Sequence, residues 1–303
     1  MPRFAANLSM MFTEVPFLER FDAAAQAGFE AVEYLFPYAH PEQDVAAALR
    51  SAGLTQALFN APAGDWESGE RGLAALAGRD EEFAQSLETA MTYAQALDCP
   101  QVHVMAGIPG PSASEPGASR SGAPVRRTVE QALNHEAAEV YIRRIRQAAD
   151  RAAAEGLRVV IEPINHVDMP GYFLGSVALG LQMIERIDRE NLGLQLDLYH
   201  AQITDGDLTR LLRSSAEVIE HIQVASVPER HEPDAGETDY QHLFSVIDEI
   251  GYSGWVGCEY HPAGRTEDGL GWFHALQPGA EKPRAEQPGA ERPGAAQART
   301  TQP

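Results

Sequence analysis

Only two cysteines occur in 303 residues, Cys99 and Cys258, too few for a disulfide framework and too far apart for a C-x-x-C site. They read as buried thiols of a protein kept in a reducing compartment. No run approaches the ~20 apolar residues that a membrane helix needs. The opening Met1-Pro2-Arg3-Phe4 leads directly into a strand-like segment, without the apolar core and cleavage site of a secretory signal. A cytoplasmic chain with no membrane contact is expected. Basic residues are also scarce, 23 against 44 acidic, for a formal net charge of −21. Such a surface repels a polyphosphate backbone, so nucleic acid is not an expected partner. A small anion remains admissible, because one nearby Arg or metal ion outweighs a distant, diffuse charge. Absent too is any G-x-G-x-x-G turn, which an open doubly wound sheet usually carries after an early strand.

Apolar strand-like runs alternate with amphipathic helical ones. The strands are expected at 4–12, 29–36, 54–60, 101–106, 157–164, 192–199, 219–226 and 255–260. Helices are expected near 17–27, 43–52, 79–97, 128–155, 174–188, 207–216, 241–250 and 264–275. Gly28, Gly53 and Gly156 stand where helices hand over to strands and fit left-handed C-terminal caps. Eight such units in roughly 250 residues have the proportions of a (β/α)₈ TIM barrel, a single domain over residues 1–276. From Gln277 the chain repeats loosely as Q-P-G-A-E, with no apolar face and frequent proline, and 277–303 reads as a disordered tail. Gly107 to Pro124, rich in Gly, Pro, Ser and Ala, reads as a flexible surface loop within the domain. Whether the chain forms a homo-oligomer is left open.

The run V-V-I-E-P-I-N (159–165) places a glutamate at the end of a buried strand. An ionised carboxylate out of water costs several kcal/mol unless it is paired or binds a metal. Three later strands repeat the pattern: L-Q-L-D-L-Y-H with Asp197, H-I-Q-V-A-S with Gln223 and W-V-G-C-E-Y with Glu259. The spacings from Glu162 onward are 35, 26 and 36 residues, one βα unit each. Taken singly, each is as well explained as a buried polar group met by backbone or an ion pair. Taken together, three carboxylates converging without a cation repel, and one must keep its proton. A divalent ion among Glu162, Asp197, Gln223 and Glu259 resolves the conflict. Hard oxygen donors suit Mg²⁺ or Mn²⁺, while His103 and His200 keep zinc or cobalt open.

The chain resembles the hydroxypyruvate isomerase family, within the xylose-isomerase-like TIM barrels. The resemblance lies in N-L-S-M-M-F-T-E (7–14), N-A-P-A-G-D-W-E-S-G-E-R-G (60–72), H-V-M-A-G (103–107), I-E-P-I-N (161–165), L-D-L-Y-H (196–200), H-I-Q-V-A-S-V-P-E-R-H-E-P-D-A-G-E (221–237) and G-C-E-Y-H-P (257–262). It implies that Glu162 and Glu259 are a catalytic acid/base pair and that Glu162, Asp197, Gln223 and Glu259 hold a metal. It also implies a substrate, hydroxypyruvate, interconverted with 2-hydroxy-3-oxopropanoate. A 2-oxo-tetronate isomerase or a ketose epimerase is the nearest alternative. The stretch 107–124 looks longer than the family usually carries.

Isomerisation between an aldehyde and a ketone removes a proton beside a carbonyl and returns it to the next carbon through an enediolate. A Mg²⁺ ion would stabilise the developing charge, although two well-placed Glu residues could move the protons alone. The substrate's carboxylate calls for a cationic partner, and Arg230 is the first candidate. A solvated loop Arg paired with Glu229 or Glu232 is the competing reading. Arg71 is a second candidate. His200 is expected at a substrate oxygen or at a helix cap, and His103 as a hydrogen-bonded residue of the barrel mouth. Trp66 either covers the site or packs on a helix. A metal-dependent endonuclease for abasic DNA and a barrel that binds without turnover are the other classes. The acidic surface and sparse His argue against the first, and the four polar strand ends against the second.

Overall fold

A computed structural model of the protein describes residues 1–110 and 127–276. The disordered tail expected over 277–303, and the flexible loop beyond Gly110, lie outside the described residues. Eight parallel strands close into a barrel in sequence order: β1 (Arg3–Asn7), β2 (Ala31–Tyr34), β3 (Thr55–Asn60), β4 (Gln101–His103), β5 (Arg158–Ile161), β6 (Leu192–Asp197), β7 (Ile219–Val224) and β8 (Trp255–Cys258). The helices around them are α1 (Arg20–Gln26), α2 (Glu42–Ala52), α3 (Asp80–Leu97), α4 (Val129–Leu133) and α5 (Glu136–Ala153) in the first half. The second half carries α6 (Val177–Ile187), α7 (Leu198–Thr204), α8 (Leu208–Ser215), α9 (Tyr240–Glu249) and α10 (Gly271–Ala275). The expected TIM barrel is the observed one. No helix among the described residues is long and apolar enough to cross a membrane.

The main core fills the space between strands and helices, where Phe4, Val32, Ile161, Leu194 and Ile222 meet helix residues such as Phe21, Tyr141 and Ile247. A second, smaller cluster holds Ala5, Ala31 and Ala57, with Trp255 against it. Ala5 shares its face of β1 with Asn7, and Ala31 shares its face of β2 with Glu33. The barrel interior therefore steps from small apolar residues to polar ones toward the carboxyl ends of the strands. The register aligns the polar layer: Asn7 lies beside Glu33, and Gln223 beside both Asp197 and Gly257.

The strands are shorter than the apolar runs suggested. β1 stops at Asn7, whose carbonyl accepts from the Met10 and Met11 N–H groups and starts a turn. β5 and β8 end one residue before Glu162 and Glu259, so both acids sit on the rim. The segment expected as strand 192–199 turns helical at Leu198, because Asp197 Oδ1 accepts from the Tyr199 N–H at 2.8 Å and caps α7. The single helix expected over 128–155 is two, since the His135 ring accepts from the Ala137 N–H at 3.0 Å and starts α5 afresh. The 264–275 helix is a 3₁₀ turn (Thr266–Gly269) followed by α10. Gly53 does end α2 with a left-handed φ of 68°, as its position suggested.

Candidate active site

Glu162 is the first residue beyond β5, and Pro163 behind it packs against Gly180 of α6. Its carboxyl is buried, and Oε1 has no hydrogen-bond partner among the described residues. Two histidines stand just outside hydrogen-bonding range. His103 Nδ1 is 3.6 Å from Oε2, while His200 Nε2 is 3.7 Å from Oε1 and 3.6 Å from Asp197 Oδ2. Asp197 spends Oδ1 on capping α7 and turns Oδ2 to the site, 3.4 Å from Arg230 Nη2.

Glu259 is held differently. Its Oε1 accepts from Arg230 Nη2 at 2.7 Å, and its Oε2 accepts from the side-chain amides of Gln223 and Asn7. Arg230 follows β7 in a loop, with φ of 55°, a left-handed conformation that costs a non-glycine residue roughly 1–2 kcal/mol. Backbone bonds hold it there: its N–H donates to the Ser226 carbonyl at 2.9 Å, and its carbonyl accepts from the His261 N–H at 2.9 Å. The guanidinium lies 4.8 Å over the Tyr199 ring, and Nε has no partner among the described residues. Arg230 is thus no solvated loop residue, and it pairs with neither Glu229 nor Glu232.

Burial sets the protonation of the acids. It pushes Glu162 well above the usual carboxylate range, and the charges of Glu259 and Asp197 push in the same direction. Glu259 is raised to about 8, burial outweighing Arg230, with Asp197 and Glu33 adding to the rise. Asp197 is raised to about 6 by burial, against the pull of Arg230 and the Tyr199 N–H. Burial lowers His103 to about 3, and it lowers His200 well below the normal histidine range. Arg230 stays charged because Glu259, Asp197 and Glu162 more than offset its burial. Glu162 and Glu259 are therefore close enough to feel one another's charge.

Glu162 Oε1 or Oε2, an Asp197 oxygen and a His200 ring nitrogen lie within 4.8 Å of one another, a set that could hold a metal ion. An orphaned buried carboxylate oxygen beside two further acids of raised pKa fits a divalent cation with hard oxygen ligands. Gln223 turns its amide nitrogen to Glu259 and Glu33, while its oxygen accepts from Gln195 Nε2 at 2.6 Å. The amide oxygen thus faces Gln195 and not the acids.

His103 pairs through Nδ1 with Asn60 Oδ1, 3.1 Å away, and is buried against Glu162. Arg71 donates to the carbonyls of Trp66 and Glu70 and lies 4.0 Å over the Trp66 ring. None of its hydrogen bonds reaches the acids. Trp66 packs against Phe36 in the loop after β2, at 5.0 Å between rings, and against the main core. His200 sits in the first turn of α7, but the cap is Asp197.

Sequence reasoning missed a second buried network beneath the acids. Glu33 Oε2 meets His221 Nε2 at 2.6 Å, and Oε1 accepts from Asn7 at 2.9 Å and Gln223 at 2.8 Å. Gly257 makes room for it, since a Cβ there would overlap the Glu33 carboxylate. The signal was present: F-E-A-V-E-Y-L-F carries a carboxylate in an apolar run, as V-V-I-E-P-I-N does.

Acids gathered at the carboxyl ends of barrel strands mark where enzymes of this architecture act. The chain matches a family model described as xylose isomerase-like TIM barrel over residues 21–276, and it belongs to that family. It is 48% identical over 272 residues to the 2-oxo-tetronate isomerase of Cupriavidus necator, covering 90% of this chain and 97% of that protein. It is 40% identical to the hydroxypyruvate isomerase of Escherichia coli, covering 90% of this chain and 98% of the relative. A crystal structure named as an AP endonuclease, family 2, from Brucella melitensis superposes with a TM-score of 0.81 at 49% identity, covering 91% of this chain and 100% of that one.

Proposed function

We propose that the chain interconverts the aldehyde and ketone forms of a small hydroxylated 2-oxo acid, by proton transfer between Glu162 and Glu259. Its relatives are named as isomerases, and the chain is one. The carrying observation is that two carboxyls from the ends of β5 and β8 share one buried site, where burial holds both above the usual carboxylate range.

In hydroxypyruvate the proton leaves C3, and the electron pair of that C–H bond forms the enediolate. A proton returns at C2, the hydroxyl proton passes from O3 to O2, and 2-hydroxy-3-oxopropanoate results. Ionised Glu takes the proton and protonated Glu gives it. The unpartnered Arg230 Nε–H is available to the substrate carboxylate. His200 Nε2, 3.7 Å from Glu162, faces the reacting oxygens. A divalent ion held by Glu162, Asp197 and Glu259 would supply charge stabilisation for the enediolate. Mg²⁺ or Mn²⁺ suits those oxygens.

The 48% relative favours the four-carbon 2-oxo-tetronate at least as much as the three-carbon hydroxypyruvate, for which the relative is 40% identical. A panel of three- and four-carbon substrates followed by NMR decides between them. Glu162→Gln is expected to keep the wild-type melting profile and to lose turnover by a factor of about 10³ or more. Near-wild-type isomerisation by that variant would remove the assignment.

A further inference from the structure

We infer that Asn165 is a positioning residue: it fixes the tautomer of His200, so that the ring aims an Nε2–H at the site and serves a substrate oxygen, not a metal ion. Asn165 is fully buried after β5, and its Oδ1 accepts from the backbone N–H groups of Val167 at 2.9 Å and Asp168 at 2.8 Å. Backbone N–H groups only donate, so the oxygen cannot exchange places with the nitrogen. Nδ2 is therefore the atom that meets Asp168 Oδ2 at 3.1 Å and His200 Nδ1 at 2.6 Å.

An amide NH₂ also only donates. Nδ1 of His200 must accept, and the one proton of a neutral imidazole then resides on Nε2. An imidazolium would set an Nδ1–H against the amide hydrogens only 2.6 Å away between heavy atoms. The Nε2–H faces Glu162 Oε1 at 3.7 Å and Asp197 Oδ2 at 3.6 Å, both too far for a hydrogen bond. No protein acceptor among the described residues lies within hydrogen-bond reach of that N–H. Arg230 Nη2–H also points at Nε2, but at 3.5 Å, the limit of hydrogen bonding, and the 2.6 Å contact from Asn165 to Nδ1 outweighs it in setting the tautomer.

The Glu162, Asp197 and His200 cluster has the spacing of a metal site, and the tautomer decides which of the three can ligate. Nitrogen ligation needs a lone pair at Nε2, and the Asn165 bond removes it. The metal role falls to the carboxylates alone, and His200 becomes a neutral hydrogen-bond donor to the oxygen on which charge develops. Only the identity of that oxygen rests on the proposed isomerisation. The tautomer does not.

The test is a long-range ¹H–¹⁵N spectrum of the full chain with ¹⁵N-labelled histidine, His200 being assigned by its absence from His200→Gln. The expected pattern is a protonated Nε2 and an unprotonated Nδ1, unchanged when Mg²⁺ is added to saturation. A protonated Nδ1 in the wild-type protein, or loss of the Nε2 proton on adding Mg²⁺, would overturn the inference. Asn165→Asp replaces the donor with an acceptor of the same shape. It is expected to move the His200 proton to Nδ1 and to lower kcat by about 100-fold. Wild-type kcat with a switched tautomer would sink the functional half. The introduced carboxylate would lie beside Asp168, and if the variant does not fold the wild-type spectrum still decides. A chain with no isomerase activity but the expected tautomer would refute the proposed reaction and leave the positioning role standing.

Discussion

A carboxyl group taken out of water keeps its proton unless positive charge or donors replace the solvent. Here the replacements are unequal: Glu259 has Arg230 and two amides, whereas Glu162 Oε1 has no partner among the described residues. The pH dependence of stability follows in sign. Glu259 binds its proton up to about 8 when folded, against a reference value of 4.5 in the unfolded chain. Folded protein thus carries more protons than unfolded across that span, and stability falls as pH rises through it. His103 works the other way, neutral above about 3 when folded against a reference of 6.5, so its contribution rises with pH up to 6.5 and is flat beyond. The two effects oppose between pH 4.5 and 6.5, and of the two only that of Glu259 acts between 6.5 and about 8. Metal-free protein is expected to lose on the order of 1–2 kcal/mol over that interval for Glu259. Thermal melts in a chelator read this as a lower midpoint at the alkaline end. Added Mg²⁺ should flatten the slope, because a bound cation replaces the protons.

At the scale of single elements, the end of β8 depends on a missing methyl. Gly257 sits beside Gln223 in register, and the Glu33 carboxylate occupies the space over it. Gly257→Ala is expected to drive Glu33 from His221, Asn7 and Gln223 at a cost of roughly 2–4 kcal/mol, from overpacking plus unmet buried donors. Chemical denaturation measures it. Adding Glu33→Ala relieves the overlap, so the double variant should cost less than the sum of the two, and simple additivity would contradict the contact. Legibility in the sequence also differed from element to element. The acids of β5, β6 and β8 were readable because each ends a long apolar run followed by a change of pattern. α7 was hidden because L-D-L-Y-H is apolar enough to continue a strand, and only the Asp197 cap turns it. The break between α4 and α5 was hidden because histidine is an unusual N-cap residue. Glu33 was overlooked because it lies inside β2, and Tyr34 and Leu35 carry the apolar run on past it.

Across the whole molecule, the alternation of eight apolar and eight amphipathic segments was enough to specify a closed barrel, since parallel strands need helical crossovers on one side. Charge patterning is the other whole-chain property, and it bears on the relative named as an endonuclease. A chain with net charge −21 meets a phosphate backbone as a like charge. The arginine at its site, Arg230, is already paired with Glu259 and Asp197. An enzyme that grips DNA through basic residues binds more tightly as salt is lowered, because released counterions drive association. This chain should do the reverse, since lowering salt only lengthens the reach of its repulsion. The expected outcome is no retention and no cleavage of a duplex with a single abasic site, with or without Mg²⁺, at low or physiological salt. A gel-shift and nicking assay across a salt series checks it. Cleavage that strengthens at low salt would mean that a local basic surface overrides the global charge, and would revive the endonuclease reading.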